Sequence, residues 1–399
     1  MSLMLWKFRG CALSQASRIL VRAPRKLSVA AGGTSKLIEI SEERFDEMVR
    51  HEMAYFASVP EKSVSIRQIL DATPEELAQV CWKEGPKRLA LRIRLLESLV
   101  GWQNVKELVQ MHDMLNRWYR SLSLSERNIK SMAECIRAIR KDGQQVIPLV
   151  SSGIHKLQSR FPEHFETETL DRWLDSFFLS RISTNVLADQ LLARVSVRDG
   201  GEGKPTGIIN PKCDAVRLCE ESATFAAKLC YHQTGIRPLW SVENYEANSM
   251  EPVDIPCFFS YIPSYLRYMM VELLKNSFKA TAERFGNEEE VSKRPVHIRV
   301  CHDSQRVAIL VSDRAGGIPF DVGDNIWSYM YGACARSSDS AAVASASPLG
   351  GYGVGLPLSR LYARYLGGKL HVTSYPGYGT QAHLLLPRIA VDQIETFRA

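Results

Sequence analysis

An acid, an amide and a cation (Glu272, Asn276 and Lys279) fall at i, i+4 and i+7 in the stretch VELLKNSFKAT. A helix stacks those positions on one side. Leu273, Leu274, Phe278 and Ala282 recur at three-to-four spacing and give the same helix an apolar stripe. Taken alone, ExxxNxxK also describes an ordinary solvated face, and two later loops change the balance. Asp313-Arg314-Ala315-Gly316-Gly317 follows a strand-like run, which puts a carboxylate at a cleft floor where a backbone can approach closely. Gly350-Gly351-Tyr352-Gly353-Val354-Gly355-Leu356 then runs straight into a helical segment, and free amides at a helix N-terminus favour phosphate. No Gly-Lys-Ser/Thr follows, so the loop is not a Walker motif. A small polar stretch precedes it instead of a strand, which excludes the dinucleotide fingerprint.

The elements around these motifs divide in two. From about residue 40 to 196 the pattern is helical, with apolar positions at Leu89, Ile93 and Leu96, then Val105 to Trp118, Ile129 to Ile139, Val146 to Leu157 and Leu170 to Leu192. Pro86 reads as a first-turn residue, and Pro148 with Gly153 as a weak point or kink. Long helices with short connections predict a four-helix-bundle-like, all-α domain. Residues 197–207 read as a glycine-rich linker. From 208 to 390 helices at 213–229 and 262–285 mix with paired strands at 296–300 with 306–311 and 369–374 with 380–386, which predicts an α+β sandwich. Residues 332–350, small and without periodicity, read as a lid, and 391–399 as a short tail.

Composition excludes several classes. Hydrophobic residues make up 45% of the 399 and charged ones 24%, as in an ordinary globular chain. Seven basic residues precede the first acid, Glu39; without them, 43 basic residues face 44 acidic ones, so the formal +6 is no argument for a nucleic-acid partner. Residues 1–30 are Arg-rich and acid-free, with Leu5, Phe8, Ala12, Ala16 and Ile19 on one helical face, the pattern of a mitochondrial transit peptide. No apolar run is long enough for a membrane span. Nine cysteines without a CxxC pair and nine histidines without HxxxH spacing predict reduced thiols and no structural metal.

In order, ExxxN on a helix, DRAGG after a strand and GYGVGL into a helix resemble the ATP-binding domain shared by DNA gyrase, MutL and the histidine kinases. YIPSYL, WLDSFFLSRIS, GIINPKCD, WSYMY and GLPLSRLYARYLGG narrow the resemblance over about residues 40–390 to the mitochondrial kinases of the 2-oxoacid dehydrogenase complexes, which act on pyruvate or branched-chain 2-oxoacid dehydrogenase. The resemblance implies ATP with Mg²⁺ and a serine of the E1α subunit as acceptor. It also implies docking on the lipoyl domain of the E2 core, a homodimer and a matrix location. Glu272 would be the general base and Asn276 the Mg²⁺ ligand, with Lys279 a phosphate cation in place of the usual arginine. Asp313 would meet the adenine amino group and Gly317 the base. Gly351, Tyr352, Gly353, Val354, Gly355 and Leu356 would wrap the phosphates, with Thr380 near the adenine.

Departures from the family pattern mark this chain. Tyr268 stands one turn before Glu272 where the pyruvate enzymes have histidine; it is expected to orient the glutamate by a hydrogen bond. Ala315 replaces a glycine, and Gly332-Ala333 replaces a Ser-Thr pair beside the phosphates. The chain lacks a long tail with an Asp-Trp pair. Tyr268 and the short tail lean toward the branched-chain enzyme, while YIPSYL and INPKCD lean toward the pyruvate one. The target expected first is pyruvate dehydrogenase. A histidine kinase using His112-Asp113 and a catalytically weakened ATP-binding scaffold are the alternatives.

Overall fold

The computed structural model describes residues 6–7, 25–31, 34–60, 66–198, 207–247, 249–331 and 353–388. Strands β1 (Trp6–Lys7), β2 (Arg25–Ala31) and β3 (Thr34–Ile40) form a small antiparallel sheet. The helical face expected in the leader, Leu5 to Ile19, lies outside the described residues apart from Trp6–Lys7. Helices then follow: α1 (Glu42–Ser58), α2 (Ile66–Asp71), α3 (Pro74–Glu97), α4 (Lys106–Ser123), α5 (Ile129–Asp142), α6 (Val146–Arg160) and α7 (Thr167–Arg198).

Two expectations about proline are corrected. Helix α3 begins at Pro74 behind a Thr73/Glu76 capping box, so Pro86 lies inside it, not in its first turn. The neighbouring Gly85 accommodates this crowded crossing, because a Cβ there would stand 2.4 Å from Leu122 Cδ2. Pro148 falls in the first turn of α6, where its missing N–H costs nothing, and α6 continues unbroken to Arg160. Gly153 is a packing residue, since its Cβ would meet Leu108 Cδ2 at 2.6 Å.

The second half holds β4 (Asn210–Asp214), α8 (Ala215–Thr234), β5 (Trp240–Glu246), β6 (Phe258–Tyr261), α9 (Pro263–Phe285), α10 (Glu288–Ser292), β7 (Val296–His302), β8 (Arg306–Ser312), α11 (Gly355–Tyr365), β9 (Lys369–Tyr375) and β10 (Gly379–Pro387). The five-stranded sheet runs β5-β7-β8-β10-β9. The two expected hairpins, β7–β8 and β9–β10, join through the antiparallel pair β8–β10. β5, absent from the sequence reading, adds on parallel to β7. Ile298, Val300, Ile309, Val311, Leu384 and Leu386 are buried, and alternate residues such as Arg299, Leu310 and His383 are half-exposed. One face of the sheet therefore carries the core with α8, α9 and α11.

Helix α7 joins the halves. Asp171 accepts hydrogen bonds from Ser328 Oγ at 3.1 Å and Tyr329 N at 2.9 Å, and Asp175 accepts one from the Tyr329 hydroxyl at 2.8 Å. The Phe178 and Tyr329 rings pack at 5.6 Å. Among the described residues no helix is long and apolar enough to cross a membrane, and no cluster of three or more His, Cys, Asp or Glu could hold a metal. The seven described cysteines are free; Cys11 and Cys334 lie outside the described residues.

Candidate nucleotide site

Helix α9 is the axis of the site. Leu273, Leu274, Phe278 and Ala282 are buried as their spacing requires, which turns Glu272, Asn276 and Lys279 toward the cleft side. Asn276 is exposed, while Glu272 and Lys279 are half-buried. Lys279 Nζ lies 3.6 Å from Glu283. The buried Lys275, which the sequence reading passed over, reaches Glu272 Oε1 with its Nζ at 2.9 Å. Its signal was legible: a lysine three residues after an acid, in a helix buried on most sides, needs a partner.

Glu272 also explains Gly355. A Cβ on that residue would lie 2.2 Å from Glu272 Oε2, so only glycine lets the carboxylate sit against the start of α11. The N-cap of α11, Val354, offers no side-chain acceptor. Among the described residues no side chain caps its first amide groups, which can therefore receive an anion beside the Glu272 carboxylate. Val354 is buried and Leu356 half-buried, and Gly353 takes the left-handed φ of 78°. Gly332, Ala333, Gly351 and Tyr352 lie outside the described residues.

The other end of the site is built on Asp313, which is 5% exposed at the end of β8. Its Oδ2 accepts from Ser277 Oγ at 2.9 Å; its Oδ1 accepts from Ala315 N at 3.0 Å and Thr380 N at 3.2 Å. Burial raises the Asp313 carboxyl above the usual range, and these three donors oppose the rise. Asp313 N donates in turn to Thr380 O at 3.0 Å. Gly317, at φ 72°, is required by the hairpin itself, for a Cβ would meet Tyr375 O at 2.4 Å. Ser374 fixes the same loop by accepting from Ile318 N at 2.6 Å. Ser277 and Ser374 were missed because a serine in a helix or strand carries no motif by itself.

Tyr268 packs against Tyr362 of α11 at 5.1 Å between ring centroids. Burial, and then the Glu272 charge, push its phenol well above the usual tyrosine range, so it stays neutral. The ion pair to Glu272 comes from Lys275, and no hydrogen bond joins Tyr268 to Glu272 among the described residues. The expected orienting bond is therefore replaced by ring packing. His112, the alternative phosphoacceptor, lies on α4, 3.1 Å from Glu97, with its ring tilted against Trp102 at 4.4 Å between centroids.

A carboxylate on a helix, a second carboxylate under a glycine turn and a helix N-terminus without a side-chain cap lie along α9, on a sheet backed by helices. This defines an ATP-binding domain, and residues 262–390 match the family described as histidine kinase-, DNA gyrase B- and HSP90-like ATPase. Residues 63–210 match the family described as mitochondrial branched-chain alpha-ketoacid dehydrogenase kinase. The chain is similar to mitochondrial pyruvate dehydrogenase (acetyl-transferring) kinase isozyme 4 of Rhinolophus ferrumequinum, 28% identical over 403 residues, covering 96% of this chain and 90% of the relative. The human isozyme 4 is 28% identical over 370 residues, covering 87% and 86%. Isozyme 1 of Rattus norvegicus is 28% identical over 412 residues, covering 96% and 88%. These matches make the chain similar, over most of its length, to the mitochondrial 2-oxoacid dehydrogenase kinases.

Proposed function

We propose that this kinase transfers the γ-phosphoryl group of ATP to a serine of the E1α subunit of pyruvate dehydrogenase in the mitochondrial matrix, and so inactivates it. The observation that carries the reading is the seat of Glu272 against the first residue of α11. A γ-phosphate held by that N-terminus would stand beside a base. As the serine oxygen bonds to the γ-phosphorus, Glu272 accepts the hydroxyl proton and the bond to the β,γ-bridging oxygen breaks, releasing ADP.

The remaining roles follow the cleft. Asp313 receives the adenine amino group while Ser277 and the Thr380 amide hold it in place. Gly317 keeps the base close to the backbone. Gly351, Tyr352, Gly353, Val354, Gly355 and Leu356 enclose the phosphates, with Gly332 and Ala333 at their edge. Lys279 neutralises phosphate charge once it leaves Glu283, and Lys275 orients Glu272 through their ion pair. The donor set fits Mg²⁺ brought in by the nucleotide: Asn276 offers one exposed amide oxygen, and this ion prefers few protein ligands beside phosphates and water. When bound, the metal would neutralise charge on the phosphate oxygens. The likeness to these kinases extends the proposal to a homodimer and to docking on the lipoyl domain of the E2 core.

Purified pyruvate and branched-chain E1, each incubated with this protein and labelled ATP, test the assignment. Serine-bound label on pyruvate E1α is expected. Label on neither E1 would overturn the kinase reading. Label on branched-chain E1 alone would support the second reading, which the family matched by residues 63–210 favours.

A further inference from the structure

The segment that follows the glycine turn at Gly317 is fixed at two places, and one of them lies on the bundle. At its start, Ile318 N donates to Ser374 Oγ at 2.6 Å, which ties it to the Asp313 end of the site. At its far end Ser328, Tyr329 and Met330 are buried. There Asp171 of α7 accepts from Ser328 Oγ at 3.1 Å and from Tyr329 N at 2.9 Å, both through Oδ1. Ser328 Oγ accepts in turn from Met330 N at 3.1 Å. The Tyr329 hydroxyl donates to Asp175 Oδ1 at 2.8 Å, and its ring lies against Phe178. Between the two anchors runs a short helical turn, Gly323–Trp327, and the Arg360 guanidinium of α11 lies over the Trp327 ring, 4.9 Å from its centre. Arg364, one turn further along α11, stands 3.8 Å from Asp175 Oδ2. Helix α11 thus meets this segment and α7 through residues 360 and 364, while its first residue, Gly355, sits against Glu272.

We infer that Asp171 is a positioning residue that the bundle contributes to the nucleotide site: by holding Ser328 and Tyr329 it sets Trp327, and with it α11, so that the helix N-terminus stands at Glu272. This role rests on the nucleotide site of the reading above. Its physical reason is the burial of what Asp171 satisfies. Tyr329 is 3% exposed and Ser328 8%. Without that acceptor the Tyr329 amide would be left unpaired in a dry place, and a shift of the segment toward water would relieve it. Such a shift carries Trp327 away from Arg360. Gly355 lies about one and a half turns before Arg360 on the same helix, so a tilt of α11 is felt at its N-terminus. Amide donors weaken steeply once they fall out of line with an acceptor, and phosphate oxygens are the acceptors proposed there. The Asp313 end is held separately, by Ser277, Ala315 and Thr380, and should not follow the segment.

The experiment uses two ligands that share adenine and differ in phosphate: ATP, by equilibrium binding, and adenosine, by competition against ATP. Wild-type protein is compared with Asp171→Ala, Asp171→Asn and Tyr329→Phe, each in the full chain. In Asp171→Ala the Kd for ATP should rise about tenfold, while the Ki of adenosine stays within about twofold. Asp171→Asn keeps an oxygen where both bonds are accepted and should recover most of the loss. Tyr329→Phe removes only the hydroxyl on Asp175 and should weaken ATP binding by a smaller factor; it decides the matter if Asp171→Ala fails to fold. Equal weakening of ATP and adenosine would overturn the positioning role, because a general loss of structure does not tell the two ends apart. Unchanged ATP affinity in whichever of Asp171→Ala and Tyr329→Phe folds would overturn it, as would an Asp171→Asn no better than Asp171→Ala. Wild-type protein that binds ATP but labels no E1 would overturn the kinase reading alone, and the ratio of ATP to adenosine affinity would still decide the role of Asp171. Wild-type protein that binds no ATP would overturn both.

Discussion

The two ends of the site along α9 are held in opposite ways. At Ser277 the helix meets Asp313, which takes three donors from three different segments: Ser277, Ala315 and Thr380. Every one of those donors is itself fixed by a helix, a turn or a strand. At Glu272, five residues earlier, the carboxylate has one side-chain partner among the described residues, Lys275, on its own helix. Asn276 is exposed, and Lys279 pairs across a loose 3.6 Å with Glu283. Recognition of a rigid, flat base rewards the first arrangement, because shape must be present before the ligand arrives. Proton transfer and phosphate binding reward the second, because these groups must change partners during turnover. An over-determined floor and a lightly tethered base divide the labour along a single helix.

The largest separation of the two ends is expected from Glu272→Gln. The amide keeps the shape but cannot take a proton, so kcat should drop on the order of a thousandfold while ATP affinity stays near the wild-type value. Single-turnover labelling with equilibrium nucleotide binding checks both halves, and lost ATP affinity would show that the two ends are not independent. Asp313→Ala attacks the other end. It strands three donors in a buried place, which should cost about 3 kcal/mol in denaturant unfolding and abolish measurable ATP binding. Lys275→Met is smaller. It leaves Glu272 without its cation and should lower kcat about tenfold, with little change in KM for ATP. A Lys275→Met enzyme with full kcat would mean that the ion pair serves packing alone.

The division was only half legible in the sequence. Glu272 stands in an ExxxN helix, Asp313 stands before a glycine pair, and the motifs come in a fixed order, so their residue types announced them. The partners that hold them did not. Ser277 lies next to Asn276 and shows its purpose only when β8 brings Asp313 beside it, 36 residues later in the chain. Lys275 looked like one more basic residue of a helix, since its burial depends on how α9 is covered by its neighbours. The hairpins β7–β8 and β9–β10 were readable from apolar alternation. The parallel strand β5 was not: Trp240 to Glu246 has weak alternation, and its pairing with β7 is set across more than fifty residues. Pro86 misled because a proline argues locally for a helix start, whereas the packing of α3 against α4 and α7 carries the helix through it.

The smallest predicted effect isolates charge from shape at the recognition end. Burial raises the Asp313 carboxyl in the folded protein above its unfolded value of 3.8. A raised acid binds its proton more tightly when folded, so its favourable contribution is complete below that unfolded value. It is lost as pH rises through the folded one. At neutral pH the ionised form therefore carries the full cost of burial, only partly offset by its three donors. Asp313→Asn keeps an oxygen for the Ala315 and Thr380 amides and presents its NH₂ group to Ser277 Oγ, which can accept. The amide does not titrate. Unfolding free energies of wild type and Asp313→Asn, measured at pH 4 and pH 7, should differ between the two pH values, with the variant gaining relative to wild type at pH 7. The gain is expected to be on the order of 1 kcal/mol. A difference that does not vary with pH would show that the three donors cancel the cost of burial. The recognition end would then be as indifferent to charge as it is rigid in shape.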